Sequence, residues 1–488
     1  MNIAEENVEL RAENAALGAE NAALKAHQAA LESSVEQLHG QVAALQAQLA
    51  QNSHNSNWPS SRDKNRRKQS KSLRTKSGKQ PGGQKGHSGQ TLKLVTEPEH
   101  QEVHRPLVCN GCGNSLPADA PAQLGAARRQ VFDIPPVHLE VTEHRTATVT
   151  CPHCHAASSG LFPEAVSHAV QYGPHIKAFS VYLNQHQMVP LQRLSALLGE
   201  WLQAPVSAGT IVCWVQTAGQ AVQAQIERIQ AGLRQAPVVH CDETGQYITG
   251  KRFWVHVTAT RDLTLYRPHT KRGRAGTDAL GVLPTYQGVA VHDGFSSYKQ
   301  YDCKHALCNV HHLRELTAVH EQGEQEWADA FKTLLCELKD EVAQAQADGL
   351  TALPLLRRQA IAIHYQQLIN QAYAANPPPE DGWPAGKRGR QRKPKALNLA
   401  VRLNTQHSEV LAFVDDFNVP FDNNLVERDI RMLKVQQKIS GCFRSWAGAH
   451  AAAALRSYLS TMVKQGHTAT TILQSLFSGN LIPVALTE

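Results

Sequence analysis

Two short apolar runs end on acidic residues, and that repetition is the first sign of chemistry. Val238-Val239-His240-Cys241 leads into Asp242, and Gly288-Val289-Ala290-Val291-His292 leads into Asp293. Read as buried strands, each delivers a carboxylate at its C-terminal end, where open α/β sheets commonly place reactive groups. A carboxylate held there needs a metal, a cation or hydrogen-bond donors, because an unpaired buried charge is costly. A third acid lies in Asp422-Asn423-Asn424-Leu425-Val426-Glu427-Arg428-Asp429. A helix over about 423–438 puts Asn423, Glu427 and Arg431 on one face. Asp429 then faces about 200° away, and Asp422 is placed to cap the helix start. Between the second and third acids, Cys308-Asn309-Val310-His311-His312 opens another helix after a short apolar run. His311 could orient a carboxylate there, while His312 points elsewhere.

A second kind of chemistry is written in cysteine. Cys109-Asn110-Gly111-Cys112 and Cys151-Pro152-His153-Cys154 each offer two thiolates from one knuckle, and two knuckles build a tetrahedral Zn²⁺ site. Strands expected over 130–134 and 137–150 would place the knuckles at the ends of a hairpin. His153 and His155 read as exposed neighbours, and the isolated Cys213, Cys336 and Cys442 as core residues.

The elements that must position these groups follow in order. Residues 1–50 read as a coiled coil: Leu10, Leu17, Leu24, Leu31, Leu38 and Leu45 recur every seven residues, with Asn7, Asn14 and Asn21 at the companion position. Leu at d with Asn at a favours a parallel dimer. Residues 51–95 form a basic linker in which Arg62, Lys64, Arg66, Arg67 and Lys68 lie close together with Asp63 as the single acid. Such a segment does not fold alone and suits sequence-independent binding to phosphates through counterion release. The zinc-binding module spans 96–165. A helical region, 166–232, places helices over 178–187 and 191–202 and a third capped by Ser207, a helix-turn-helix pattern. The first part of a catalytic core, 233–321, adds hairpin strands over 253–260 and 263–266. An insertion, 322–409, holds two helices and a basic cluster from Lys387 to Lys395. The core resumes over 410–465 with the helix carrying Glu427, and a tail, 466–488, closes the sequence.

Composition sets limits. The 488 residues imply several domains, and 42% hydrophobic residues are enough for real cores. The net charge of +7 fits a polyanion partner. No apolar run is long enough to span a membrane, and the acidic, polar start is no signal peptide. Ten cysteines without a secretory spacing point to a reducing cytoplasm.

VVHCDET, VAVHDGF, CNVHHLREL and DNNLVERDIR, with the leucine heptads, PGGQKGH and the paired cysteine motifs, resemble the transposases of the insertion-sequence-66 family across nearly the whole chain. The resemblance implies a multidomain α/β fold: a ribonuclease H-like core with a helical insertion, preceded by coiled coil, zinc ribbon and a helix-turn-helix-like region. It implies an acidic triad of Asp242, Asp293 and Glu427. It matches Cys308 and His311 to the family's Cys-x2-His, and Cys109, Cys112, Cys151 and Cys154 to its zinc module. Three carboxylates suit Mg²⁺, with Mn²⁺ able to substitute, because Mg²⁺ takes hard oxygen ligands. Two such ions about 3.5–4 Å apart neutralise a phosphodiester and stabilise its attacking and leaving oxygens. On this reading the chain is a DNA transposase. It cuts element ends with water and joins the freed 3′-OH to target DNA, and His311 could approach the scissile phosphate. The implied partners are double-stranded DNA, a second copy in a homodimer or higher oligomer, and helper proteins of the same element, with no membrane. The implied location is cytoplasmic, at a bacterial nucleoid. The alternative is an inactive or regulatory DNA-binding protein that recognises terminal repeats without cutting.

Overall fold

The computed structural model describes residues 3–51, 92–121, 123, 128–135, 137–379, 382 and 393–486. Arg62, Lys64, Arg66, Arg67 and Lys68 lie outside them, as does most of the basic cluster from Lys387. The first element is a single uninterrupted helix, α1 (Ile3–Leu49). Its heptad leucines Leu17, Leu24, Leu31, Leu38 and Leu45 are all at least half exposed.

The chain divides into two units, one of residues 71–160 with 197–205, the other of 1–70, 161–196 and 206–488. In the smaller unit each cysteine pair sits at the tip of its own tight hairpin. The first is closed by a bridge between Val108 and Ser115, the second by β1 (Thr148–Thr150) pairing with β2 (Ala157–Ser159). This corrects the expected strands over 130–134 and 137–150: apart from β1, the described residues of that span form no strand. The partner of β1 comes after the second knuckle, so each turn folds locally and needs no long hairpin.

In the larger unit, α2 (Pro174–Val181) runs into a π-helical turn. Then come α3 (Leu191–Leu202), whose residues 197–202 are counted with the smaller unit, α4 (Ala208–Ala221) and α5 (Gln223–Gln235). The sheet follows: β3 (Val238–Ile248), β4 (Lys251–Ala259), β5 (Thr264–His269), the helix α6 (Arg274–Leu280), β6 (Val289–His292) and β7 (Lys304–Leu307). Its order is β5-β4-β3-β6-β7. β3, β4 and β5 pair antiparallel, whereas β6 and β7 join parallel to β3 and to each other. β3 does not end at Asp242 as expected. Its pairing with β4 continues to Ile248 opposite Lys251. The polar residues that read as a strand end stay in the strand because each finds a partner: Gln246 Nε2 donates to the Leu433 carbonyl at 2.8 Å, and Glu243 is bonded on the other face.

From β7 the chain enters α7 (Asn309–Gly323) and then the insertion, α8 (Glu326–Ala347), α9 (Leu355–Ala374), α10 (Lys395–Thr405), α11 (His407–Val410) and α12 (Ala412–Asp415). These helices share a core of their own, centred on Leu316, Phe331, Leu335, Ile369 and Leu403. The chain then returns as α13 (Asn424–Ser440), α14 (Trp446–Lys464) and α15 (Ala469–Phe477). Val426, Ile430 and Leu433 of α13 and Ala449 and Ala453 of α14 pack on Phe253, Val255 and Val257 of β4.

The helix-turn-helix outline is present, and Ser207 caps α4 by accepting the Thr210 N–H at 3.1 Å. But α4 lays its buried face, Ile211, Trp214, Val215 and Ala218, into this unit. It packs so closely on α14 that a Cβ at Gly219 would lie 2.8 Å from Ala451 Cα. Its outward positions, Gly209, Cys213, Thr217 and Gln220, carry no cation.

Candidate active site

Alternation along β3 sends Asp242, with His240, Thr244 and Gln246, toward α13, and sends Glu243 to the opposite face. β6 pairs with β3 only as far as His240 opposite Val291. Carried two residues further, that register sets Asp242 across from Asp293, where the two strands part. Asp293 follows β6 directly, in a turn made by Gly294 at φ +88°, and its Oδ1 accepts the Phe295 N–H at 2.9 Å.

Glu427 stands in the first turn of α13, and its charge, like that of Asp293, acts on Asp242. Asn423, just before that helix, is 1% exposed and fastens it. Its Nδ2 donates to the Cys241 carbonyl at 3.0 Å, its Oδ1 pairs with His240 Nδ1 at 2.8 Å, and its own N–H points at Cys308 Sγ at 3.2 Å. Asp422 Oδ1 accepts the Asn424 N–H at 2.9 Å, as expected of a residue at a helix start. Asp429 faces away and is occupied by Lys464 at 2.8 Å and Thr264 at 3.0 Å. No ion pair joins Glu427 to Arg431 among the described residues.

The ligand atoms of Cys308, His311 and Glu427 all lie within 4.8 Å of one another. His311 Nδ1 is buried without a hydrogen-bond partner among the described residues. His312 is fully in the core, 3.1 Å from Asn309 Oδ1, and burial drives its pKa down to about 3. So the two adjacent histidines have separate surroundings, one at the acids and one in packing.

Electrostatics mark the cluster. Burial, followed by the charges of Glu243, Asp293 and Glu427, holds the Asp242 carboxyl well above the usual carboxylate range. Burial lowers the His311 pKa, opposed by Glu427 and Asp293. Burial pushes the Cys308 thiol up to about 12, so it stays a neutral SH. A half-buried carboxylate crowded by two more is an arrangement that a divalent cation relieves, and its oxygen donors fit Mg²⁺.

The thiols form two matching knuckles. Gly113 donates its N–H to the Cys109 carbonyl at 2.8 Å with φ +73°, and His155 does the same to Cys151 at 2.9 Å with φ +58°. Backbone N–H groups of Cys112 and Gly111 lower the Cys109 pKa, as those of Cys154 and His153 do for Cys151. That polarity suits a thiolate bound to metal. The four sulfurs are not gathered within 4.8 Å as one group among the described residues.

Of the residues that sequence reasoning singled out, the structure gathers Cys308, His311 and Glu427 within 4.8 Å; Asp242, Asp293 and Glu427 are not gathered as one such group among the described residues, though the charges of Asp293 and Glu427 act on Asp242. Sequence reasoning missed Asn423 as a buried fastener, and it missed the Glu243–Arg272–Tyr298 set behind β3. Period-two alternation carried past Asp242 would have exposed the second.

Sheet, acid cluster and thiol knuckles together define a multidomain α/β protein with a candidate site for chemistry at carboxylates. The sequence family described as Transposase IS66 family matches residues 169–451, more than half of the chain, and so includes every acid of that cluster. The zinc-finger binding domain of transposase IS66 matches 106–155, and a family of unknown function matches 2–93. This chain belongs to the IS66 family of transposases. The zinc-finger match supports Zn²⁺ as a metal of this chain. A search of curated proteins found no match.

Proposed function

We propose that this transposase is of the acidic-triad type, cutting the ends of its element and joining them to target DNA on a ribonuclease H-like core. The observation that carries the reading is the β3–β6 register, which sets Asp242 across from Asp293 where the strands part, with the charges of Asp293 and of Glu427 on α13 both acting on Asp242. The strand order, with three antiparallel strands continued by two parallel ones, supports the core assignment. Asp242, Asp293 and Glu427 would hold Mg²⁺, which when bound supplies charge neutralisation at the phosphoryl oxygens and activation of the attacking oxygen. Asn423 fixes the reach of Glu427 by tying the start of α13 to β3. His311, a neutral base beside Glu427, accepts or passes a proton at the attacking water or orients the carboxylate. Cys308 stays protonated and receives the Asn423 N–H.

The heptad stripe of α1 pairs two copies, as joining two DNA ends requires, and the basic linker with Arg62, Lys64, Arg66, Arg67 and Lys68 adds affinity for phosphates. The packed, uncharged α4 acts as scaffold, leaving DNA contact to cationic segments.

The test is Mg²⁺-dependent cleavage of a terminal-repeat duplex. Wild type is expected to cut; Asp293→Asn and Glu427→Gln are expected to bind the same duplex and leave it whole. If Glu427→Gln cuts normally while Asp422→Asn or Asp429→Asn does not, the third acid is misassigned. A wild-type chain that binds the repeats and never cuts would leave the regulatory DNA-binding protein as the reading.

A further inference from the structure

On the face of the sheet away from α13, three aromatic rings and two guanidiniums alternate in one line. Arg252 Cζ lies 5.5 Å from the Tyr247 ring centre and 5.9 Å from that of Trp254. Arg272 Cζ lies 4.9 Å from the Trp254 ring and 4.2 Å from that of Phe295. The row runs to the strand end beside the candidate site: Phe295 is two residues past Asp293, whose carboxylate accepts the Phe295 backbone N–H at 2.9 Å.

The row is built, not incidental. Glu243, with a side chain 1% exposed, accepts from both Nε and Nη2 of Arg272 at 2.8 Å, and Tyr298 locks the other oxygen at 2.5 Å. Arg272 keeps 43% of its side chain exposed. Arg252 is steadied by its bond to the Tyr247 hydroxyl at 2.8 Å. Gly245, opposite Trp254 in the β3–β4 pairing, has no side chain on this face. The indole therefore rests on the backbone, 3.7 Å from where a Cβ would be. Lys434 of α13 donates to the Gly245 carbonyl at 3.0 Å.

We propose that the row Tyr247–Arg252–Trp254–Arg272–Phe295 is a track for an unpaired DNA strand leading to Asp293. The inference rests on the DNA-cutting reading of the adjacent acids. The charge is complementary: cations line the row, and its buried carboxylate is already satisfied by Arg272. Aromatic faces and guanidinium planes take unstacked bases of any sequence, while fixed arginines take phosphates. Bases inside a duplex are already stacked and offer such rings nothing, so the chemistry selects a single strand. A strand laid here would be delivered to the acids with its backbone already neutralised.

The test uses the full chain and an oligothymidine strand carrying a single 5-iodouracil. At raised salt, where binding by the basic linker fades, ultraviolet cross-links mapped by mass spectrometry are expected at Tyr247, Trp254 or Phe295. Arg252→Glu, an exposed position whose change leaves the fold intact, is expected to weaken single-strand binding about tenfold and duplex binding much less. Trp254→Leu should weaken it in the same direction. Cross-links confined to other segments, or wild-type single-strand affinity in Arg252→Glu, would overturn the track. Both readouts are independent of cleavage. A chain that cuts but cross-links elsewhere defeats the track alone, and one that cross-links here but never cuts defeats the proposed cleavage alone.

Discussion

Asp242 and Glu243 are neighbours in sequence and opposites in circumstance. Glu243 is answered by Arg272 and Tyr298; among the described residues Asp242 receives its neighbour's N–H at 2.7 Å and faces other acids. Its pKa is therefore higher in the folded chain than in the unfolded one. What this group adds to stability is fully present below the ordinary carboxylate pKa and is lost as pH rises through the raised value. Asp242→Asn is thus expected to raise Tm at neutral pH in metal-free protein, by about 2–4 °C for each kcal/mol relieved. The gain should vanish in acid, and added Mg²⁺ should narrow it by stabilising wild type alone. Calorimetry across pH checks this; a lower Tm in the variant would mean that Asp242 has a stabilising partner after all.

At the scale of elements, α13 is positioned by one buried side chain. Asn423→Ala leaves the Cys241 carbonyl and His240 Nδ1 without their partner, a loss of about 1–3 kcal/mol. It also frees the turn that carries Glu427. The expected result is a lower Tm together with a higher Mg²⁺ requirement for cleavage. An unchanged Mg²⁺ titration would mean that the apolar face of α13 seats the helix without help. Much of this arrangement was legible beforehand: the α13 register, the β4–β5 hairpin, the separation of His311 from His312 and the turn of Asp429 away from Glu427 all follow from periods of 3.6 and 2. The full length of β3 was not, because Asp242 to Gln246 reads as polar punctuation until the partners of Glu243 and Gln246 are known, and those come from distant Arg272, Tyr298 and Leu433. The span over 130–150 misled in the other direction. Val131, Ile134, Val137 and Val141 have the composition of strands, yet they are exposed, with no second layer over them among the described residues.

For the whole molecule, the exposed leucines of α1 are where the proposed second copy would pair. Deleting residues 1–50 is expected to lower the mass in light scattering, and an unchanged mass would place the self-association elsewhere. Glu427 lies 185 residues after Asp242 (427 − 242), beyond a helical block with its own core. At about 5–20 residues per second of synthesis, the last acid leaves the ribosome about 10–40 s after the first. The zipper, basic linker and zinc knuckles are out earlier still. A growing chain would meet nearby DNA while it is still chemically harmless, and it would become competent where it already sits, which biases it toward the copy of the element that encodes it. Ribosome-arrested chains halted at residue 410 should therefore retain DNA without cutting it, whereas cutting by such chains would remove this delay.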